Sequence, residues 1–383
     1  MIYMDNAATT KVHPAVVNAM IPYMSNRYSN PSGIYTFSKN VKRDIEDARA
    51  VVAAAINALP EEIYFTSGGT ESDNWALKMS CLERGRGHII TTQMEHHAIL
   101  KSCEQLQSQG IAVTKLKPDK DGIVTAKSVE KAIRPDTVLV SIMAANNEIG
   151  TLQPVKDIGA ITREYGVLFH TDAVQAFTNI DIDVKAMNIN MLSASGHKIS
   201  GPKGVGFLYV EKDKLRKPFI NGGGQEMGLR AGTENVAGII GLAKATKIAV
   251  DNMKVRTEYE RKMRDYMTDR VLREIKGVHF NGHSQKRLPG NMNFSFEYVD
   301  GATLILMLDR QGICASAGSA CSSVSSEPSH VLKSIGLSDE LAYGSVRFTI
   351  NEKITKREID YVIECLKQNV AKLRSMNTEW NNV

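Results

Sequence analysis

Three short segments of the 383-residue chain carry residue types that could hold and use a cofactor. Residues 66–72 read T-S-G-G-T-E-S, residues 170–175 read H-T-D-A-V-Q, and residues 195–198 read S-G-H-K. Each segment lies at the carboxyl end of an apolar stretch that we predict to be a strand. Ligands of parallel sheets bind at the carboxyl ends of the strands, so these segments are the first candidates for a binding site.

The glycine-rich segment fits a phosphate group. Its glycines let the backbone approach an anion, and the helix predicted to follow would offer free N–H groups at its N-terminus. Thr70 could add a hydroxyl donor. An ordinary turn with Thr70 as the N-cap of the helix is the alternative interpretation. The segment is neither G-x-G-x-x-G nor a Walker loop.

The other two segments supply an acid and an amine. Asp172 could be a metal ligand, a structural cap or the partner of a cofactor's ring nitrogen, and Lys198 could be an exposed lysine or a Schiff-base lysine. A phosphate cradle, a strand-end Asp and a strand-end Lys are together what pyridoxal phosphate requires. His96 could then lie over the ring, or simply cap a helix. Arg347, within a strand-like stretch, could bind a carboxylate or form an ordinary salt bridge.

The five cysteines divide by their surroundings. Cys321 lies among Gly, Ala and Ser residues, a composition typical of a mobile, exposed thiol. Cys81, Cys103 and Cys365 lie in helical patterns and are predicted to be buried structural residues, and a structural role is also favoured for Cys314. The odd number and the lack of any C-x-x-C pair indicate a reducing compartment, which we expect to be the cytoplasm.

Strand-like and helix-like stretches alternate over the first two thirds of the chain. This rhythm predicts an α/β fold with a mostly parallel sheet that is covered by helices on both faces. Four helices are predicted between the strands: Val41–Ile56, Glu71–Glu83, Ala98–Gln107 and Val155–Tyr165. Seven strands are predicted: Glu62–Thr66, His88–Thr92, Ile111–Leu116, Thr137–Met143, Val167–Thr171, Met191–Ala194 and Val205–Val210.

The pattern changes after Gly232. A long helical region is expected from Val236 to about Ile275, with an interruption near Asp251–Asn252, and a last helix is expected after the capping-box sequence that begins at Thr355. We therefore predict a large domain over residues 15–254. A smaller α+β domain would comprise residues 1–14 and 255–383 and would carry the Cys321 loop.

Charge and hydropathy exclude several classes of protein. The 47 basic and 42 acidic residues give a net charge of +5 and are interleaved along the chain, which does not favour a nucleic-acid-binding protein. No apolar run approaches the length of a membrane span, and the N-terminus lacks the basic region of a secretory signal. We expect neither a nucleic-acid partner nor a membrane.

Ten short motifs from residue 4 to residue 348 together resemble the cysteine desulfurases of the NifS/IscS group, within the class V aminotransferases. They are M-D-N-A-A-T-T at 4–10, T-S-G-G-T-E-S at 66–72, N-N-E-I-G-T at 146–151, H-T-D-A-V-Q at 170–175, S-G-H-K at 195–198, G-P-K-G-V-G at 201–206, R-A-G-T-E-N at 230–235, G-S-A-C-S-S at 318–323, E-P-S-H-V-L at 327–332 and V-R-F at 346–348. Each motif alone is weak, and the set in this order is specific.

The resemblance implies fold type I of the pyridoxal-phosphate transferases and a set of catalytic roles. Lys198 resembles the family's Schiff-base lysine and Asp172 its partner of the pyridinium nitrogen. Gln175 would hydrogen-bond the phenolic oxygen, and His96 would stack on the ring and move protons. Cys321 would be the nucleophile that takes sulfur from L-cysteine as a persulfide and leaves L-alanine.

The resemblance also implies binding roles. Asn147 would bind cofactor and substrate, and Arg347 would bind the substrate carboxylate. Thr233 would reach the phosphate of the neighbouring subunit, because family members are homodimers with shared sites. Fe–S cluster scaffolds and thiolation proteins are the implied sulfur acceptors. No resident metal is expected, although Cys321 would be able to serve as a transient Fe–S ligand. The phosphate would be held by Gly69, Thr70, Ser195 and His197.

Four positions depart from the family pattern. Met227 and Ala231 replace an Arg and a Ser that family members often carry, and Gly33 and Tyr35 replace a Ser and a His. These departures are expected near the dimer interface and the rim of the site, where they would affect the choice of acceptor or the fit of the substrate.

The sequence leaves three other interpretations. A selenocysteine lyase or an aminotransferase would keep the cofactor and change the reaction, but transamination has no use for a thiol at Cys321. A nucleotide-binding module lacks its loop. A non-catalytic sulfur- or metal-binding protein would use as ligands His96, His97, His170, Asp172 and Cys321.

Overall fold

The computed structural model describes residues 1–82, 87–214, 217–317 and 328–377. The strands in these ranges are β1 (Ile2–Tyr3), β2 (Ile63–Thr66), β3 (His88–Thr92), β4 (Ala112–Leu116), β5 (Thr137–Ser141), β6 (Leu168–Asp172), β7 (Met191–Ser195), β8 (Gly206–Val210), β9 (Val278–Phe280), β10 (Asn291–Phe296), β11 (Ile313–Cys314) and β12 (Ser345–Thr349). The helices are α1 (Pro14–Met20), α2 (Pro22–Ser25), α3 (Thr36–Ala54), α4 (Gly69–Leu82), α5 (His97–Ser108), α6 (Ala126–Ala132), α7 (Val155–Glu164), α8 (Val236–Asp251), α9 (Met253–Glu274), α10 (Gly301–Arg310), α11 (His330–Ser334), α12 (Asp339–Tyr343) and α13 (Lys356–Ser375).

A seven-stranded sheet forms the centre of the fold, in the order β2-β8-β7-β6-β5-β3-β4. Strand β8 runs antiparallel to both of its neighbours, and the other pairs are parallel. All seven predicted strands are present, with ends within two residues of the prediction. The largest shift is at β5, which ends at Ser141 and not at Met143. The predicted mostly parallel α/β sheet is therefore confirmed.

The carboxyl ends of β2 and β7 are held together by the start of β8. Gly206 is paired with Thr66 on one side and with Ser195 on the other. A Cβ atom at this position would lie 2.4 Å from the carbonyl oxygen of Ala194 and 2.7 Å from Cα of Gly68. Only glycine allows the two strand-end turns to approach this closely.

Replacing Gly206 with alanine should lower the free energy of unfolding by about 1–3 kcal/mol, the usual cost of overpacking a tight site. The backbone atoms that the new methyl group would meet cannot rotate away. Gly224→Ala is the matched control, because a Cβ there meets no atom within 4 Å. Equal midpoints of thermal unfolding for both variants would contradict this account of Gly206.

The predicted helices are present, with some differences at their ends. Helix α3 begins at Thr36, before the predicted Val41, and α4 begins at Gly69, so that Thr70 lies inside its first turn. The alternative interpretation of Thr70, as the N-cap of this helix, was wrong. The long helical region is interrupted at Asn252, between α8 and α9, as predicted. The short helices α1, α2 and α6 were not predicted.

A second, antiparallel sheet has the order β12-β10-β9 and packs with α9, α10 and α13 around its own apolar cluster. Met4 belongs to this cluster, and β1 pairs with β11, so the N-terminus joins the C-terminal elements. The capping box predicted for α13 is formed by Thr355 and Glu358. The domain boundary near residue 255 stays a prediction.

None of the helices in the described part of the chain could span a lipid bilayer. Cys81, Cys103 and Cys365 are buried in helices, as predicted, and Cys314 is half-buried on β11. Burial raises the pKa of the Cys314 thiol, which agrees with the structural role favoured for it.

Candidate active site

A cavity of about 280 Å³ opens at the carboxyl edge of the large sheet, where β2, β5, β6 and β7 end. It lies near the lower end of the ~300–1,000 Å³ range of small-molecule sites. Most residues to which the sequence assigned a role line it: Gly69, Thr70, His96, Asn147, Asp172, Gln175, Ser195, His197, Lys198 and Arg347. The sheet thus brings the segments 66–72, 170–175 and 195–198 into one site.

Lys198 ends a short 3-10 turn, Gly196–Lys198, directly after β7. Its side chain is half-buried, and Nζ donates hydrogen bonds to the carbonyl oxygens of Ala7 at 2.5 Å and of Ala8 at 2.8 Å. Gln175 donates from Nε2 to the same carbonyl oxygen of Ala7 at 2.9 Å. Carbonyl groups of the N-terminal segment therefore hold the amine at the cavity wall.

Asp172 is the last residue of β6 and is buried. Burial raises the pKa of its carboxyl group to about 6, although the N–H of Val174, which donates to Oδ1 at 2.9 Å, and the charge of Lys198 both favour the ionised form. The group is thus an anion at neutral pH and faces a cavity that also holds a lysine. No group of three metal-ligating side chains occurs within the described ranges, which does not support Asp172 as a metal ligand.

His96 combines the two roles weighed for it. It is the N-cap of α5, with Nδ1 accepting a hydrogen bond from the N–H of Ala98 at 3.1 Å, and its ring also lines the cavity. Burial, and then the charge of Lys198, lower the pKa of the imidazole to about 4. The ring is therefore neutral, and because Nδ1 is an acceptor we assign its proton to Nε2. That N–H is a donor available to a ligand.

The glycine turn and the lysine turn meet over a second opening of about 360 Å³. Gly69, Thr70, Ser195 and His197 line both this opening and the cavity. Helix α4 begins here, and the first N–H groups of a helix attract an anion. The expected phosphate ligands therefore lie together around one opening.

His197 and Glu71 form contacts that fix the turns around the second opening. Burial, and then the charge of Lys198, lower the pKa of His197 to about 4, and its Nδ1 lies 3.2 Å from Oγ1 of Thr9. Burial raises the pKa of Glu71, but hydrogen bonds from Arg230 and Ser67 outweigh burial and hold it below the ordinary value. Glu71 is thus a fixed anion that ties Arg230 to the glycine turn at 2.8 Å.

Arg347 lies on β12, and its side chain crosses from the smaller sheet into the cavity wall. Its Nη2 donates to Oδ1 of Asp5 at 2.7 Å and its Nη1 to the carbonyl oxygen of Asn147 at 3.0 Å. A guanidinium group carries five N–H donors, so further donors remain for a ligand. The salt-bridge interpretation of Arg347 is thus correct, and it leaves room for a carboxylate.

Four ionisable residues of the cavity had no role assigned from the sequence: Asp73, Glu95, Glu148 and His330. Glu95 accepts hydrogen bonds from Thr92 and from the N–H of Met143, and burial raises its pKa to about 8. Burial raises the pKa of Asp73 well above its ordinary value as well, with the Asp172 charge adding to it. Glu95 is therefore largely protonated at pH 7, and burial favours the protonated form of Asp73 as well. The position of Asp73 in the first turns of a helix after a glycine turn is the signal that could have found it.

Among the described residues, one predicted site residue, Thr233, is not part of the cavity. Thr233 is exposed and lines neither opening, and its role toward a neighbouring subunit stays a prediction. Cys321 lies outside the described residues. The four departures from the family pattern, Met227, Ala231, Gly33 and Tyr35, are also absent from the residues that line the cavity.

Comparison with known families gives one clear match. The family model of the class V aminotransferases matches residues 2–362. The chain belongs to this family. A curated cysteine desulfurase IscS of Methanosarcina thermophila is 49% identical over 378 residues, which are 98% of this chain and 93% of that protein. Within the class V aminotransferases, the chain therefore belongs with the cysteine desulfurases.

Solved structures agree with this grouping. A NifS-like protein is 36% identical with a TM-score of 0.90, and covers 97% of this chain and 99% of its own. The structure described as SspA in complex with cysteine is 38% identical with a TM-score of 0.83, and covers 93% of this chain and 100% of its own. The predicted fold type is confirmed by these structural neighbours.

The residues of the cavity fit pyridoxal phosphate, the cofactor that this family implies. The anion-binding opening, the Asp172 carboxylate and the Lys198 amine surround a single space. A Cβ atom at Gly69 would lie 2.5 Å from Cγ2 of Val174, so this position has no room for a side chain. Gly69, Thr70, Ser195 and His197 would hold the phosphate, Asp172 the ring nitrogen and Gln175 the phenolic oxygen.

Removing the guanidinium group in Arg347→Ala should raise KM for an α-amino acid substrate and lower kcat/KM roughly 10- to 100-fold, from the ~1.5–3 kcal/mol of a hydrogen bond to a charged group. Arg347→Lys keeps the positive charge but loses the pair of parallel N–H donors, so its kcat/KM should lie between those of the wild type and of Arg347→Ala. Steady-state kinetics would measure both variants, and an unchanged KM in Arg347→Ala would rule out this binding role.

Proposed function

We propose that the protein converts L-cysteine to L-alanine and holds the released sulfur as a persulfide on Cys321. The observation that carries the proposal is one cavity in which Lys198, Asp172 and Arg347 converge. Its relatives named cysteine desulfurases, and a structural neighbour described in complex with cysteine, support the choice of substrate.

The side chains of the cavity have separate roles in substrate binding and in proton transfer. Arg347 and Asn147 bind the substrate, with Arg347 on its carboxylate, while the carbonyl groups of Ala7 and Ala8 aim Nζ of Lys198 into the cavity. Lys198 anchors the cofactor and takes the proton from the α-carbon of the substrate. His96 supplies a proton from Nε2. Pyridoxal phosphate, when bound, supplies a carbonyl group for amines and a ring that accepts electrons.

Cys321 completes the reaction in this proposal. Its thiolate forms a bond to the substrate sulfur as the bond between that sulfur and the β-carbon breaks, and the electron pair leaves with the carbon, which is protonated. Cysteine and one protein thiol thus give alanine and one protein persulfide, so atoms and electrons balance. An external thiol or an acceptor protein then removes the outer sulfur.

The partners follow from the same proposal. A homodimer would let Thr233 of one subunit reach the phosphate opening of the other, and Fe–S scaffolds or thiolation proteins would be the sulfur acceptors. The free thiols of Cys81, Cys103, Cys314 and Cys365 support a location in the cytoplasm.

The test is a spectrum joined to a product assay. The purified protein, saturated with pyridoxal phosphate, should show a visible band that changes when L-cysteine is added, and with a reductant it should form sulfide and alanine in equal amounts. A cofactor band without sulfide release would instead indicate an aminotransferase or a selenocysteine lyase. A protein that stays colourless with added pyridoxal phosphate would overturn the whole proposal.

A further inference from the structure

The N-terminal segment, residues 4–8, is fixed along β12 by hydrogen bonds to one residue. The N–H of Thr349 donates to the carbonyl oxygen of Met4 at 2.7 Å, and the N–H of Ala7 donates to Oγ1 of Thr349 at 2.8 Å. The N–H of Asn6 donates to the carbonyl oxygen of Thr349 at 3.3 Å. Asp5 is therefore held at a constant position beside Arg347, two residues before Thr349 on the same strand.

Asp5 is the counter-ion of Arg347. The two side chains are joined at 2.7 Å, and Asp5 is the one acidic side chain in ion-pair contact with Arg347 in the ranges that the structure covers. The Arg347 side chain is 2% exposed and the Asp5 side chain 17%. Asp5 does not line the cavity, whereas Arg347 does. Asp5 thus acts on a ligand only through Arg347.

The reaction proposed above makes this counter-ion significant. Substrate and product carry the same α-carboxylate, so Arg347 binds both, and binding that is equal in substrate and product does not speed the chemical step. A buried guanidinium without a counter-ion would retain alanine and slow its release. A carboxylate behind the guanidinium weakens this attraction by like-charge repulsion at a distance of a few ångströms.

We propose that Asp5 is a positioning residue that sets how strongly Arg347 binds an α-carboxylate, so that the product alanine is released. The inference rests on the proposed function and extends it, because it assigns to the first motif of the chain a role in turnover.

Asp5→Asn tests the proposal, since the amide oxygen can still accept the bond from Nη2 while the negative charge is removed. The inhibition constant of L-alanine and KM for L-cysteine should both fall about tenfold or more, the scale of removing a nearby like charge in a partly buried site. The dissociation constant of cysteamine, which lacks the carboxylate, measured from the change that it causes in the visible band of the bound cofactor, should stay within about twofold of wild type. Glu352→Gln, which removes an exposed negative charge from the smaller domain, is the matched control and should change none of these constants.

Two further variants at residue 5 complete the test. Asp5→Glu keeps the charge and should restore alanine inhibition close to wild type, and Asp5→Ser provides a second neutral side chain if Asp5→Asn does not fold. Unchanged or weaker alanine inhibition in a folded, active Asp5→Asn enzyme, or an equal shift with cysteamine, would overturn the role of Asp5. A wild-type protein that releases no sulfide from cysteine would instead overturn the proposed function.

Discussion

Lys198→Ala is expected to abolish the visible band of the bound cofactor and to lower sulfide release from L-cysteine by more than about 10³-fold. Lys198 Nζ is the amine in the cavity that the carbonyl groups of Ala7 and Ala8 hold in place. The variant loses both the covalent anchor and the base that takes the α-proton, and loss of a general base alone costs ~10²–10⁴-fold.

Two further variants test whether Lys198 acts as a base or only as a positive charge. Lys198→Arg keeps a cation that can donate to Ala7 and Ala8, but a guanidinium group does not lose its proton, so it should be as inactive as the alanine variant. Lys185→Ala, at an exposed lysine that does not line the cavity, should keep the band and the activity. Measurable turnover in Lys198→Arg at more than about a tenth of wild type would contradict the assignment, since no base of the right strength would remain.

The large sheet and the three segments at its edge could be predicted from the sequence, because both depend on local patterns. The roles of Asn147, Gln175, Ser195 and His197 came instead from the family resemblance. An apolar run such as His88–Thr92 predicts a buried strand, and a Gly or a small polar residue directly after a run marks its carboxyl end. Once strands are parallel, their ends share one edge. Asp172 and Lys198 could therefore be placed in one site without knowledge of any contact between them.

The second sheet could not be located in this way, because its polar residues are buried. Strand β10 reads N-M-N-F-S-F, and all six residues are buried, so its polar positions do not mark a solvent face. Asn293 and Ser295 are both bonded to Nδ2 of Asn281, which satisfies their polar groups. Such a strand shows neither the alternation of an exposed sheet nor a continuous apolar run.

The contacts of the N-terminal segment could not be predicted, because they join residues far apart in sequence. Lys198 reaches Ala7 across 191 positions, and Arg347 reaches Asp5 across 342. No periodicity encodes such pairings. The M-D-N-A-A-T-T motif was therefore noticed without a physical role, and the structure supplies one: its carbonyl groups hold the lysine and its carboxylate balances the arginine.

Cys321→Ala is expected to abolish sulfide release, by more than about 10³-fold, while the visible band of the cofactor and its change on adding L-cysteine are retained. The change removes the nucleophile and leaves every described residue of the cavity in place. Cys321→Ser should behave in the same way, because a hydroxyl at neutral pH is a far weaker nucleophile toward sulfur than a thiolate.

The cysteine that precedes Cys321 in the sequence, Cys314, provides the control. Cys314 is half-buried on β11, and burial raises the pKa of its thiol, so Cys314→Ala should keep its activity. Mass spectrometry of the enzyme after one turnover without reductant should find one added sulfur atom on the peptide that contains Cys321, in wild type and in Cys314→Ala. Sulfide release that persists in Cys321→Ala would show that the substrate sulfur leaves without a persulfide on Cys321. Cys321 would then be excluded as the acceptor, while Lys198 and Asp172 would keep their assigned roles, because those roles rest on the cavity alone.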